Sequence, residues 1–187
     1  MAPVTKTVVY GTTNNITGEA SKCWITSNLG ASTQPSSASD ATEAAAGWYW
    51  QFNKLQGFKH DGTTRTPNTT WIYPVSENSN WTSANDPCVL ELGNGWRLVT
   101  STEWSNVDTY GNWSTYTAPF NSGLRMHTAG YLHYSSGTLN ARGGEGYYWS
   151  STQSDNSSGS NLGFYGGYCG MYTGTKTYGF SVRCIRE

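Results

Sequence analysis

A chain of 187 residues is long enough to bury a sizeable core and is accounted for by one domain. Its net charge near −1 gives no footprint for nucleic acid, and no apolar run approaches the roughly 20 residues of a membrane span, so neither nucleic-acid binding nor direct membrane insertion is expected. Charged residues are only 12% beside nine Trp, thirteen Tyr and 22 Gly, which argues against long helices with Lys- and Glu-rich outer faces and, through the burial so many rings permit, against disorder. In chain order, the Val-rich alternation of residues 5–10 predicts a first strand ending at Gly11, and residues 23–26 predict a second. A Ser, Ala, Thr and Pro loop follows. Asp40 and Glu43 then form a capping-box-like start to an Ala-rich stretch. Residues 48–52, Trp-Tyr-Trp-Gln-Phe, are too few for periodicity to choose between helix and strand.

Residues 57–87 read as a long polar loop pinned to the body by Trp71, Tyr73 and Trp81. Residues 95–99 read as a short buried strand. Thr100-Ser101-Thr102-Glu103 is a capping box that predicts a helix carrying Trp104 and Val107 inward and ending at Gly111 and Asn112. Strand-like pieces follow at residues 124–127 and 130–134, and antiparallel hairpins from Tyr147 onward. There is no internal repeat. Cys23, Cys88, Cys169 and Cys184 are widely spaced without a Cys-x-x-Cys pair, and His60, His127 and His133 are scattered, so no metal site and no cofactor are expected. One or two disulfides and buried free thiols both remain open.

The C-terminal stretch is the most telling. Strand-like segments around Tyr147-Tyr148-Trp149-Ser150-Ser151-Thr152 and Tyr178-Gly179-Phe180-Ser181-Val182-Arg183-Cys184 hold between them a run of Ser, Asn, Asp, Gly, Thr and Tyr. Tyr supplies broad amphipathic contact area while Ser, Gly and Asn supply adaptable hydrogen bonds, the chemistry of a binder. Several landmarks recur in a known order: Cys23-Trp24-Ile25, Gly47-Trp48-Tyr49-Trp50-Gln51-Phe52, Trp81-Thr82 with Asn85-Asp86-Pro87-Cys88, Gly95-Trp96-Arg97-Leu98 with Thr100 to Trp104, Tyr147-Trp149-Ser150-Ser151, and Gly179-Phe180-Ser181-Val182-Arg183-Cys184. In these the chain resembles C-type-lectin-like domains of the formylglycine-generating-enzyme kind, and more closely the major paralogous domain branch of bacterial and viral surface proteins. The likeness spans most of the chain.

The resemblance implies a single α+β domain over residues 1–187 with a C-type-lectin-like fold. Small mixed or antiparallel sheets, one or two short helices and long ordered loops are expected, with a terminal antiparallel set showing one face to solvent. Relatives include the variable proteins of diversity-generating retroelements, in which adenine-directed rewriting turns Asn-type codons near the C-terminus into codons for many residues, though not for Trp, Met, Lys, Gln or Glu. Across residues 154–175 only Met171 falls outside the reachable set. Strand alternation puts Leu162, Phe164, Cys169 and Met171 inward and Gly163, Tyr165, Tyr168, Gly170 and Tyr172 outward.

These readings predict a non-enzymatic ligand-binding protein, diversified by a retroelement and displayed outside the cell on a virus particle or cell surface. Residues 1–6 lack the apolar core of a secretory signal, so display is expected through assembly on a particle or after removal of a signal. The expected partner is a protein or glycan on another cell or particle. The expected contacts are Tyr165, Tyr168 and Tyr172 as anchors and Asp155, Asn156, Ser158, Asn161, Thr173 and Thr175 as polar groups, with Gly163, Gly166, Gly167, Gly170 and Gly174 completing the surface. One alternative is a non-diversified surface or fibre-tip subunit of the same fold. Another is a copper-dependent cysteine oxidase, because oxidase relatives bind copper through neighbouring cysteines. Cys169 and Cys184 are the candidates for that pair on adjacent strands, though they equally make a disulfide, or Cys184 pairs with Cys88. No His or Lys cluster stands near them to lower a thiol pKa, so no enzyme and no catalytic residue is expected. The chain lacks the Glu-Pro-Asn, Gln-Pro-Asp and Trp-Asn-Asp runs of calcium-dependent lectins, leaving Asp86 and Asp155 for at most a structural calcium. Arg142 and Glu145 are expected to form an ion pair across a glycine loop, His127 and His133 to sit singly, and Arg97 and Arg183 to anchor carbonyls or carboxylates. Trp24, Trp48, Trp50, Trp96, Trp104 and Trp149 are expected in the core.

Overall fold

The computed structural model describes residues 1–187, and in it every helix begins where the sequence offers a cap or a proline. In chain order the elements are β1 (Thr12–Thr13), β2 (Cys23–Ile25), α1 (Glu43–Ala46), β3 (Tyr49–Trp50), β4 (Gly57–His60) and β5 (Arg65–Thr66). Then come α2 (Pro87–Leu92), β6 (Arg97–Leu98), α3 (Ser101–Gly111), α4 (Ala118–Asn121), β7 (Tyr131–Leu132) and β8 (Leu139–Asn140). The chain closes with β9 (Glu145–Gln153), β10 (Ser158–Tyr165), β11 (Tyr168–Thr175) and β12 (Cys184–Arg186). This is a small α+β protein with antiparallel sheets and a few short helices. Parallel pairing appears only as isolated bridges, Gly130 with Gly146 and Tyr148 with Ser181.

The capping box at the start of α3 forms as read: the Thr100 hydroxyl accepts from the Glu103 amide, and the Glu103 carboxylate accepts from the Thr100 amide. Trp104 and Val107 are buried, and Asn112 ends the helix in the left-handed region. Four expectations are corrected. Residues 5–10 form no strand, because they find no ladder partner; Val9 is 93% exposed and the first pairing is Thr12 with Ile25. The cap of α1 is Thr42, while Asp40 accepts from the amides and hydroxyls of Ser36 and Thr42. In the supposed polar loop, β4 and β5 pair; Trp71 and Trp81 are buried there, but Tyr73 is 60% exposed and pins nothing by burial. Residues 124–127 run without a ladder, the Leu124 and Arg125 carbonyls accepting instead from Arg183. Helix α2 went unread, although Asp86 at its N-cap and Pro87 in its first turn are the usual signals.

Four sheets result. One orders β1-β2-β12-β6, a second β11-β10-β9, a third β3-β4-β5, and β7 pairs with β8. The segment from Gly179 to Ser181 knits the last three together. It exchanges backbone hydrogen bonds with Leu132 at 2.8 and 3.0 Å and with Trp50 at 2.9 and 3.0 Å, and the Ser181 amide donates to the Tyr147 carbonyl at 3.1 Å. Two large core clusters flank that hub. One holds Trp24, Trp104, Tyr148, Leu162 and Phe164; the other holds Trp50, Phe52, Trp149, Phe180 and Val182. Trp96 is only half-buried, beneath the Arg186 guanidinium. The Arg183 side chain is wholly buried and donates to the Asn28 side chain at 3.0 Å and to the Ile25, Leu124 and Arg125 carbonyls at 2.9, 2.7 and 3.1 Å. Burial lowers its pKa to about 10. Cys88 and Cys184 form a disulfide that ties α2 to β12, and Cys23 and Cys169 are free.

Candidate functional site

The β9–β11 sheet separates two kinds of residue by its pleat. In the β10–β11 register, Leu162 faces Met171 and Phe164 faces Cys169; this set packs onto the core beside Trp104 and Val107 of α3. The alternate pairs are Asn161 with Tyr172, Gly163 with Gly170, and Tyr165 with Tyr168. Their rings gather on the other face. Tyr165, Tyr168 and Tyr172 have centroids 5.7–6.3 Å apart, and the Tyr172 hydroxyl donates to that of Tyr165 at 3.4 Å. The three expected anchors are therefore brought together. Gly163 makes this possible, since a Cβ there would stand 2.9 Å from the Tyr172 ring and 3.1 Å from the Tyr147 ring.

Beside these anchors lies a cavity of about 290 Å³, walled by Tyr131, Tyr147, Tyr165, Tyr172, Tyr178 and Phe180. Tyr147, Phe180 and Tyr178 stack as a ladder, with centroids 5.0 and 5.3 Å apart and planes within 19°. Tyr131 meets the ladder edge-on at 85–88°. Such offset and perpendicular contacts suit the ring quadrupole and hold the wall rigid. Burial raises the pKa of Tyr131, Tyr147, Tyr172 and Tyr178; at Tyr147 the Glu145 carboxylate, which accepts from its hydroxyl at 3.0 Å, adds to the rise. These hydroxyls stay protonated at neutral pH. Thr173 and Gly174 complete the rim.

Asn161 lines the cavity but is no exposed contact: it is 1% exposed, buried beneath the surrounding rings, and its Oδ1 has no hydrogen-bond donor. Gly163 and Gly170 are likewise buried, covered by tyrosine rings, so they shape the face without offering surface. The rest of the expected set divides by distance. Gly166 and Gly167 form the exposed tip next to Tyr165 and Tyr168, whereas Asp155, Asn156 and Ser158 lie at the other end of β10, roughly 23 Å away at ~3.3 Å per residue. There they build a turn. Asp155 accepts from the Ser157 amide and hydroxyl at 2.7 and 2.9 Å, the Ser158 carbonyl accepts from the Ser154 amide at 2.8 Å, and the Asn156 carbonyl accepts from the Glu77 amide at 2.9 Å. Buried Lys176 braces the same end by donating to the Glu77 carbonyl and the Gln153 side chain at 2.6 and 2.9 Å. The Thr175 hydroxyl donates to that of Thr177 at 3.3 Å.

Tyr131, Tyr147, Tyr178 and Phe180 escaped the sequence reading as site residues. The signal available was their recurrence in three strand-like segments, but nothing local says that those segments meet. The glycine-loop ion pair is also corrected. Arg142 donates to the Tyr49 hydroxyl and the His60 carbonyl at 3.0 and 2.7 Å, leaving Glu145 with no cation partner. Arg97 makes the expected carboxylate contacts, to Glu103 at 2.7 and 2.9 Å and to Glu187 at 2.8 Å. His127 is buried with neither ring nitrogen hydrogen-bonded, and burial first, then Arg183, lowers its pKa to about 3. His133 packs half-buried between Tyr134 and Tyr178.

The neighbouring-cysteine arrangement does not form. Cys184 is engaged with Cys88, and Cys169 lies in β11, in a different sheet from β12. The Cys169 thiol is held neutral by burial and by Asp108. No three His, Cys, Asp or Glu side chains converge to hold a metal ion. Asp86 is occupied instead by the amides of Cys88 and Leu98 at 2.8 and 2.9 Å. No helix is long and apolar enough to cross a membrane.

A family model described as a domain of unknown function, DUF8237, matches residues 113–185, a stretch that contains every residue of the tyrosine-walled cavity. No curated protein and no solved structure matches the chain.

Proposed function

We propose that this chain is a non-enzymatic ligand-binding protein with a C-type-lectin-like scaffold, diversified by a retroelement over residues 154–175 and displayed on a virus particle or cell surface. Its partner is a protein or glycan on another cell or particle. One observation carries the reading: Leu162, Phe164 and Cys169 are locked in the core while Tyr165, Tyr168 and Tyr172, on the other face of the same strands, meet solvent beside a cavity, so contacts at these tyrosines can change without changing the frame. A preformed wall of stacked rings also reduces the ordering cost of association. The contact surface is the Tyr165–Tyr168–Tyr172 cluster with the adjoining cavity, and the turn at residues 154–157 serves as a second, separate patch.

Arrays of immobilised glycans and peptides test this directly. The wild-type chain is expected to be retained on a subset of spots, and the variant with Tyr165, Tyr168 and Tyr172 all changed to Ser is expected to be lost from them. Equal retention of both proteins would refute the assignment of the face. The retroelement component predicts a near-copy of the 3′ coding region, differing mainly at adenines, beside a reverse transcriptase; its absence would remove diversification from the account. A stable assembly in sedimentation that occludes the β10–β11 face would favour a structural surface subunit instead.

A further inference from the structure

We infer that the tyrosine-walled cavity receives the cationic head of a Lys or Arg side chain from a protein partner, an assignment that rests on the binding-protein reading above and specifies its chemistry. Size comes first. At about 290 Å³ the cavity stands at the lower limit of ligand pockets, which run ~300–1,000 Å³, so it takes one side-chain head rather than an extended molecule. Its walls come next. The ladder of Tyr147, Phe180 and Tyr178, crossed at right angles by Tyr131, surrounds the space with aromatic rings, whose faces are negative and attract ammonium and guanidinium groups.

One polar group supplies the rest. Beside the wall, Glu145 faces Tyr165 across the β9–β10 ladder and accepts from the Tyr147 hydroxyl, yet it has no cation partner within the chain, because Arg142 is turned away to Tyr49 and His60. No Lys or Arg lines the cavity. A carboxylate without a counter-charge and a cavity walled by aromatic rings are complementary to the same occupant.

Ligand-observed and protein-observed NMR titration of the full chain tests this. The probes are the N-acetyl methylamides of lysine, arginine, Nε-acetyl-lysine and norleucine, with tetramethylammonium and methyl glucoside alongside. The lysine and arginine derivatives are expected to shift the ring signals of Tyr131, Tyr147 and Tyr178, and the two neutral derivatives to bind about tenfold more weakly. Glu145→Gln keeps an acceptor for Tyr147 and the same shape, so it should leave the melting temperature unchanged while weakening the cationic probes about threefold or more. Equal affinity for the neutral derivatives or for methyl glucoside would overturn the cation assignment yet leave a binding cavity in place. Binding of tetramethylammonium without the lysine and arginine derivatives would overturn the assignment to a partner's side chain. No shift with any cation would overturn the inference alone, since the binding-protein reading is judged by array retention of the triple tyrosine variant.

Discussion

The two faces of the β9–β11 sheet are built from the same strands and differ in almost everything else. On one face Leu162, Phe164 and Cys169 sit buried against Trp104, Val107 and Tyr148. On the other, the tyrosines touch one another around a cavity and keep part of each ring in water. The step from Phe164 to Tyr165 therefore moves from a position where volume decides stability to one where chemistry decides recognition. That contrast explains how the hairpin can be rigid in backbone and open to change at its tyrosines.

The strongest way to break the contrast is to remove its support. Arg183 lies over Tyr148 of the packed face and donates to three backbone carbonyls. Arg183→Met should cost about 5 kcal/mol or abolish folding, because each stranded buried acceptor costs about 1–3 kcal/mol. Circular dichroism and urea unfolding would measure it. Phe164→Ala, on the packed face itself, should cost about 3–5 kcal/mol by the same measurement.

Acid sharpens the comparison because the packed side holds the titrating group. His127 exchanges hydrogen bonds with Tyr148 through its backbone while its ring stays neutral, with a pKa near 3 against 6.5 unfolded. A lowered folded pKa means the unfolded chain binds more protons below pH 6.5, so stability is full above that value and falls as the pH drops towards 3. The slope between about pH 6 and 4.5 should approach 1.4 kcal/mol per unit, and His127→Leu should flatten it. At Asp40, hydrogen bonds from Ser36 and Thr42 outweigh burial and hold the carboxyl below its usual range, so its loss of stabilisation comes only below about pH 4. Smaller still is Gly163→Ala. Its Cβ would press on the Tyr172 and Tyr147 rings; Tyr147 is held in the ladder, so half-buried Tyr172 must give way, and about 1 kcal/mol is expected, together with altered binding at the cavity.

Much of this division was legible in the sequence because its signals are local. The Thr100–Glu103 capping box and the period-two alternation from Leu162 to Tyr172 each specify their own geometry. The cavity was not legible, because it is assembled from β7, β9, β10, β11 and the Gly179–Ser181 hub by pairings far apart in the chain. Sequence proximity misled at Arg142 and Glu145, where Gly143 adopts a positive φ and Arg142 reaches back to Tyr49 and His60. Asn161 was read as a polar contact, but lying on the tyrosine side is not exposure when larger rings stand around a short side chain. The strand expected at residues 5–10 failed for the opposite reason: local propensity was present and no partner strand was.

Urea unfolding of the variant in which Tyr165, Tyr168 and Tyr172 are all Ser tests the separation of faces most directly. The expected result is an unfolding free energy within about 0.5 kcal/mol per substitution of wild type and an unchanged slope, as for surface positions. A loss as large as that of Phe164→Ala, or a change in slope, would contradict it, because the tyrosine face would then be part of what holds the fold together.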